Sequence, residues 1–289
     1  FKNKGEIMAT KIIIDSASDI TKEEADKMGV ILLPMQIRFE DEEYLDGYNI
    51  TKLQFFEKLI ENSTLPKTSQ TNPETFKEEF EKVVVSGDEA VVITISSKLS
   101  GTYSSAVKAS AEYKDKIFVV DSLNASLGEH ILFDYAYKLL KENKSAKEIA
   151  VALNSAKKRL NLLAMLDTLK YLRKGGRISA LVAFAGELMS IKPVISVVNG
   201  EVKLVGKAMG SKKAGNLLNK LVTNKGIDFD MPYCVAWSGL SSDLLEKYIK
   251  DSAPLWQDHT DNIPRYAIGS TIGTHVGPNA IGVAFFEKE

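Results

Sequence analysis

The sequence predicts an α/β protein of two domains: a layered α/β/α domain on a parallel sheet, then a two-layer α/β domain with a mixed sheet. Three observations carry this. In the first half, short β-rich runs at 11–14, 30–39, 90–95 and 117–120 alternate with amphipathic segments, the pattern of βαβ units. In the second half, 194–198 and 201–206 flank Asn199-Gly200, and Asn-Gly suits the type I′ turn of a hairpin. The change of regime falls near residue 160, giving domains 8–160 and 161–289, and no obvious linker separates them. Close packing of the two follows.

The helices between the strands carry start signals. Thr21 with Glu24, Thr51 with Gln54 and Ser145 with Glu148 each fit a capping box, in which hydroxyl and carboxyl (or amide) satisfy each other's backbone N–H. Asn72 followed by Pro73 fits an N-cap with proline at the first helical position. Leu127, Ile131, Tyr135 and Leu139 share one face of a long helix that ends near Asn143. The second half adds helices at 211–222 and 243–249, a strand at 233–237, and two last strands flanking 269–279. Residues 1–7 lack periodicity and precede Met8, which is read as the natural start, so they are left out of the fold.

The 289 residues are 44% hydrophobic with a formal net charge of −1, enough apolar material for two cores and too little positive charge for a general nucleic-acid or membrane-surface role. No apolar run has transmembrane length and no signal-type leader is evident, so a cytoplasmic location is expected. The single cysteine, Cys234, lies in the apolar run 233–237 and reads as a buried structural residue.

Five segments carry chemistry. Ser96-Ser97-Lys98-Leu99-Ser100-Gly101-Thr102 follows a strand and opens a helix. Helix N–H groups, hydroxyl donors and a glycine make it an oxyanion receptor with no acid, base or metal ligand inside it. Lys67-Thr68-Ser69-Gln70 is a second hydroxyl cluster before a helix start; alone it reads as polar loop. Asp15 and Asp19 follow the first strand, where a metal or ribose site competes with the plainer reading of turn and helix capping, which is favoured. The basic stretch from Lys170 to Ile178, with Gly175-Gly176-Arg177, fits either a phosphate or docking loop or a solvated turn. His275 sits among turn formers at 273–278 and is read as a loop histidine able to donate to an anion, or as one that stabilises its loop. No nucleophile elbow and no His/Cys/carboxylate cluster of metal-ligand spacing is present in the sequence.

Together these residues resemble the DegV family of bacterial fatty-acid-binding proteins, over nearly the whole chain from Met8. The resemblance rests on Asp15-Ser16, Thr68-Ser69-Gln70, the run from Ser96 to Tyr103, Tyr171-Leu172 with Lys174-Gly175-Gly176-Arg177, Ile191-Lys192-Pro193 and His275-Val276-Gly277-Pro278. It implies two α/β domains with one long-chain fatty acid buried between them and no cofactor. It also implies a carrier without catalytic residues, the acyl-carrying subunit of a dihydroxyacetone-kinase-like fatty acid kinase that makes acyl phosphate for phospholipid synthesis. By position, Thr68 and Ser100 would hydrogen-bond the carboxylate with Ser69 and Gly101 beside them, His275 would complete the head-group network, and Arg177 would help dock the kinase. Two positions depart from the family pattern: Thr71 stands where proline is common, and Asn279 where glycine is common.

An acyl chain needs apolar walls more than a strong cation, and 160–169 and 181–195, the latter including Phe184, are rich enough in Leu, Met and Ala to supply them. Two rivals stand beside the carrier. One is an acyl hydrolase or transferase using Ser97 or Ser100 with His275, which needs a hydroxyl–imidazole contact and an acid behind the histidine. The other is a binding module for a soluble phosphometabolite, which needs a small polar pocket.

Overall fold

A computed structural model describes residues 8–178 and 190–288. The first half runs β1 (Thr10–Asp15), α1 (Lys22–Met28), β2 (Ile31–Leu33), β3 (Gln36–Phe39), β4 (Glu42–Leu45), α2 (Lys52–Glu61), β5 (Lys67–Ser69), α3 (Pro73–Val85), β6 (Glu89–Thr94), α4 (Thr102–Ser110), β7 (Ile117–Asp121), α5 (Leu127–Lys141) and α6 (Ala146–Ala156). The second half runs β8 (Leu160–Met165), α7 (Lys170–Lys174), β9 (Ile191–Val198), β10 (Glu201–Met209), α8 (Gly210–Lys225), β11 (Tyr233–Trp237), α9 (Asp243–Asp251), α10 (Ala253–Trp256), β12 (Arg265–Ala267), α11 (Ser270–Val276) and β13 (Ile281–Phe286). The expected residues 1–7 and Phe184 lie outside the described residues.

All three capping boxes form, and Asn72 caps α3 with Pro73 in its first turn. The four-stranded sheet β2-β1-β6-β7 is parallel throughout. Its alternate residues serve two layers: Ile12, Ile14, Val91 and Ile93 pack under α5 and α6, whereas Ile13, Val92 and Ile117 pack under α3 and α4. Burial of both faces explains why β6 reads as a continuous apolar run.

The second sheet has the order β10-β9-β8-β13-β11-β12, antiparallel except for β11 with β12. Val235, Val283 and Phe285 face α8, α9 and Trp256. Cys234, Ala236, Ala284 and Phe286 face the other way, into the cluster built around α5. α5 is therefore a layer shared by both sheets, and Cys234 is buried as expected, its thiol pushed well above the ordinary value by burial. The predicted hairpin forms: Asn199 and Gly200 take φ of 52° and 84°, the pair of positive angles a type I′ turn requires. Its tip is fastened to the first half, where Ser96 Oγ donates to Gly200 O at 2.8 Å.

One strand expectation is corrected. The run 30–39 is not a single strand but β2 and β3, which belong to different sheets. Pro34 lies between them and has no N–H to donate to a ladder, so the chain leaves the parallel sheet there. It enters a small antiparallel sheet, β4-β3-β5, backed by Phe55, Phe56 and Leu59 of α2.

Glu129 of α5 is fully buried, and neither carboxyl oxygen has a partner among the described residues. Burial, with Asp15, Asp19 and Asp121 nearby, pushes its carboxyl well above the ordinary value of 4.5. As pH rises through 4.5 the unfolded chain releases this proton while the folded chain keeps it, so stability falls with rising pH. Glu129→Gln removes the ionisation at constant shape. Urea unfolding at about pH 5 and about pH 8 is expected to show the variant gaining on the wild type at the higher pH. An identical pH slope for both proteins contradicts this account.

Candidate functional site

α11 is the element on which the site turns. The stretch expected as a loop around His275 is a helix whose last turn carries that histidine. Tertiary hydrogen bonds hold it in place. Asp19 Oδ1 accepts from Gly269 N at 2.7 Å, and the two oxygens of Asp46 accept from Ser270 N and Thr271 N, each at 3.0 Å. Lys52 Nζ donates to both Asp19 O and Ala267 O at 2.7 Å. Asp19 also accepts from Ser126 Oγ at the start of α5. Burial pushes the Asp19 carboxyl up to about 6, against the pull of Lys52 and these donors.

Asp15 follows the same logic. Its oxygens accept from Ala17 N and Ile95 N, each at 2.9 Å, and burial pushes its carboxyl up to about 7. Asp15 thus caps the turn that follows it, as expected, whereas Asp19 does not cap α1, whose N-cap is Thr21, but accepts from the start of the distant α11. No metal-holding group of His, Cys, Asp or Glu occurs among the described residues.

A cavity of about 400 Å³ lies between the first-half turns, α11 and the inner face of the mixed sheet. Thr68, Ser69, Ser100, Gly101, His275 and Arg177, the six residues singled out in the sequence, all line it. Thr68 and Ser69 do so from a strand instead of a loop, because β5 pairs with β3 through Ile37↔Thr68 and Gln36↔Ser69. Thr68 Oγ1 lies 3.0 Å from His275 Nε2. Ser100 Oγ lies 2.9 Å from Thr102 Oγ1 and accepts from Thr102 N.

Glycines let these parts close on one another. A Cβ on Gly101 would lie 1.9 Å from Gln70 Oε1, and one on Gly175 would lie 2.2 Å from His275 Nδ1. Gln70, itself in the wall, donates to Ser105 Oγ and so ties β5 to α4. Thr71, at the family's common proline position, adds bonds from its N–H to Thr102 Oγ1 and from its hydroxyl to Pro34 O, both at 3.4 Å. Asn279 takes φ of 61°, the left-handed conformation that asparagine tolerates in place of glycine.

The oxyanion-receptor expectation narrows. The N–H groups of Ser96, Ser97, Lys98, Leu99 and Ser100 all have protein acceptors. Those five N–H groups are therefore taken, and from 96–100 it is the Ser100 hydroxyl that faces the cavity. Ser97 is exposed and does not line the cavity, and the Ser100 hydroxyl bonds Thr102, not His275.

Arg177 adds a charge to a site expected to be neutral. It is half-buried, its Nε donates to Leu99 O at 3.3 Å, and its Nη1 donates to Gly175 O. Burial, with the nearby Arg177 guanidinium, pushes the imidazole of His275 down to about 4. The ring is neutral at ordinary pH, and its buried Nδ1 has no partner among the described residues. With the proton on Nε2 it donates to Thr68, leaving the threonine hydroxyl hydrogen to point at a ligand.

The rest of the wall is apolar. Leu162 and Ala164 lie on one face of β8 and Leu166 follows just past its end, together about 13 Å of extended chain at roughly 3.3 Å per residue. Leu166 packs with Leu172 and Ala280 near the His275 end, whereas Leu162 and Leu127 belong to the cluster around α5. Ile195 lines the cavity from β9. Thr271 escaped the sequence reading. It lies one helical turn before His275 on the cavity side of α11, and its buried hydroxyl has no partner among the described residues. The hydroxyl pair Ser270-Thr271 after Gly269 was the available signal.

His275 is therefore expected to titrate near 4 in an NMR titration of the three histidines, identified by the loss of its signal in His275→Gln. A midpoint near the ordinary 6.5 contradicts the burial and the Arg177 contact on which this rests.

Comparison with known proteins agrees with the architecture. The family model described as "Uncharacterised protein, DegV family" matches residues 9–288. A DegV domain-containing protein of Caldanaerobacter subterraneus is 33% identical over 280 residues, covering 96% of this chain and 98% of the relative. A solved DegV family protein from Thermus thermophilus, described for its fatty acid binding, superposes with a TM-score of 0.84 at 28% identity, covering 97% and 100% of the two chains. A stearic acid-binding protein from Eubacterium ventriosum superposes with a TM-score of 0.83 at 26% identity, covering 96% and 98%. By sequence over nearly its full length and by fold, this chain belongs to the DegV family.

Proposed function

We propose that this protein binds one long-chain fatty acid in the cavity, with the carboxylate at the Thr68–Ser100–His275 end and the chain along β8. The observation that carries the reading is the cavity's polarity: hydroxyls, a neutral imidazole and one guanidinium gather around Thr68, Ser100 and His275, and leucine, isoleucine, alanine and valine make up most of the rest. About fifteen methylenes at about 0.8 kcal/mol each supply on the order of 12 kcal/mol before ordering costs. Thr68 and Ser100 are the carboxylate's hydrogen-bond donors, Ser69 and Gly101 flank it, and His275 holds the Thr68 hydroxyl. The ligand of the Thermus and Eubacterium relatives supports this reading.

The proposal extends to a partner. The domains 8–160 and 161–289 hold the acid between them in the cytoplasm and present its carboxylate to a dihydroxyacetone-kinase-like fatty acid kinase, whose acyl phosphate product feeds phospholipid synthesis. Arg177 then has two neighbours, the head group inside and the kinase outside, since its side chain is half-buried beside exposed Arg173 and Lys174. Among the described residues no helix is long and apolar enough to cross a membrane.

Neither rival finds its geometry. The hydrolase reading needs an acid behind the imidazole, yet among the described residues Nδ1 of His275 has no partner. The phosphometabolite reading needs a polar pocket, and most of this wall is apolar.

Protein produced in bacteria, extracted and analysed by mass spectrometry, is expected to release a fatty acid. A protein that carries none and binds none on addition refutes the reading. Ser100→Ala should weaken binding by roughly 1.5–3 kcal/mol, one hydrogen bond to a charged acceptor, and unchanged affinity sinks that assignment. Loaded protein mixed with the kinase and ATP should yield acyl phosphate; none forming overturns the partner half alone.

A further inference from the structure

Ser126, the residue just before α5, takes φ of 53° and ψ of −131°. Glycine holds such angles freely, whereas a Cβ there crowds its own backbone. A serine before a helix usually caps it, but this one makes no side-chain bond to the first turn. Nor does the backbone need the side chain to hold its course. Ser126 N donates to Ala17 O at 2.8 Å, and His130 N donates to Ser126 O at 2.9 Å. The hydroxyl is aimed elsewhere: it donates to Asp19 Oδ2, while Asp19 Oδ1 accepts at 2.7 Å from Gly269 N, the residue before α11. Among the described residues no other hydrogen bond reaches Oδ2. Ser126 is itself buried and lines the cavity.

We infer that Ser126 is a positioning residue of the fatty-acid site. Its hydroxyl fixes the Asp19 carboxylate, the carboxylate fixes the start of α11, and the helix fixes where His275 stands against Thr68. This role presupposes the fatty-acid reading of the cavity. A strained residue persists only where its surroundings over-determine it, and here the determinant is a bond that leads to the head-group helix. Without the hydroxyl, Asp19 still accepts from Gly269 with one oxygen, but the other is left buried with no donor. A buried carboxylate oxygen without a donor is costly, so the carboxylate turns to find one. The start of α11 turns with it, and His275 moves from its place 3.0 Å from the Thr68 hydroxyl.

The test pairs Ser126→Gly, which relieves the backbone, with Ser126→Ala, which keeps the Cβ; both lose the hydroxyl. Affinities for palmitic, stearic and oleic acids are measured where urea unfolding shows each lipid-free protein to be folded. Both variants should bind about five-fold more weakly than wild type or worse, and the glycine variant should be the more stable of the two. In lipid-free protein the ring signal of His275, assigned by its loss in His275→Gln, should shift in both variants while that of His259 stays. A serine that serves only the fold, or only touches the chain, leaves the His275 signal in place, and that result overturns the role. Wild-type affinity in either folded variant overturns it as well. A glycine variant less stable than the alanine variant overturns the account of strain. If neither variant folds, the hydroxyl serves the fold and the role falls. A wild type that binds none of the three acids overturns both the role and the fatty-acid reading.

Discussion

The clasp of Asp19 and Asp46 on the start of α11 is the constraint from which the rest of the site follows. Two buried carboxylates from the first half take the N–H groups of Gly269, Ser270 and Thr271, and Asp19 does so across 250 residues of sequence. A buried carboxylate is costly unless hydrogen-bonded, so each has one low-energy arrangement, and that arrangement sets the angle of the helix. Thr271 and His275 then fall on its cavity side, and His275 meets Thr68 on β5. Asp19 extends the clasp to α5 through Ser126, so the helix shared by both sheets and the helix carrying the histidine are held by one side chain.

That dependence explains what could be read in the sequence. The capping boxes at Thr21, Thr51 and Ser145 and the Asn199-Gly200 turn are local devices, complete within four residues, and they form as read. That Thr68, Ser100 and His275 belong together was legible as a set, because each stands in a recognisable motif, and they line one cavity. The form of two of its segments was not. Residues 270–276 contain Gly273 and are followed by Gly277, a composition that favours a turn, and the helix forms because distant carboxylates cap it. Thr68 and Ser69 become a strand only through pairing with β3. The break at Pro34 was visible as a proline, but a change of sheet is a property of topology. Thr271 was hidden by the same error that made α11 a loop.

The distribution of acids separates a carrier from a hydrolase. Asp15, Asp19 and Asp46 are spent on backbone N–H groups, and Glu129 lies outside the cavity wall. Among the described residues no carboxylate stands behind His275, whose ring burial and Arg177 keep neutral. A neutral imidazole holding a threonine hydroxyl orients a donor well and makes a poor general base for Ser100, which it does not touch. Arg177 qualifies the neutrality without reversing it. Two backbone carbonyls hold it, so its charge is anchored to the turn in the cavity wall. A carboxylate in that field stays ionised while its oxygens remain bound mainly by hydroxyls.

The mixed sheet shows why the cavity is where it is. One face of β8 and β13 gives Leu163, Met165, Val283 and Phe285 to a filled core under α8 and α9. The opposite face gives Leu162, Ala164 and Gly282, and there α5 and the first-half turns do not descend far enough to close the space. Apolar walls facing a cavity forfeit dispersion contacts, a loss that a close-packed core does not carry. An acyl chain restores those contacts from the ligand side, and because it touches both sheets' layers it contributes to cohesion as well as to affinity. Binding and packing are then one interaction. In the proposed function, the fatty acid would be held by the same burial that joins the parallel sheet, α5 and the mixed sheet, with the hydroxyl end serving to orient it.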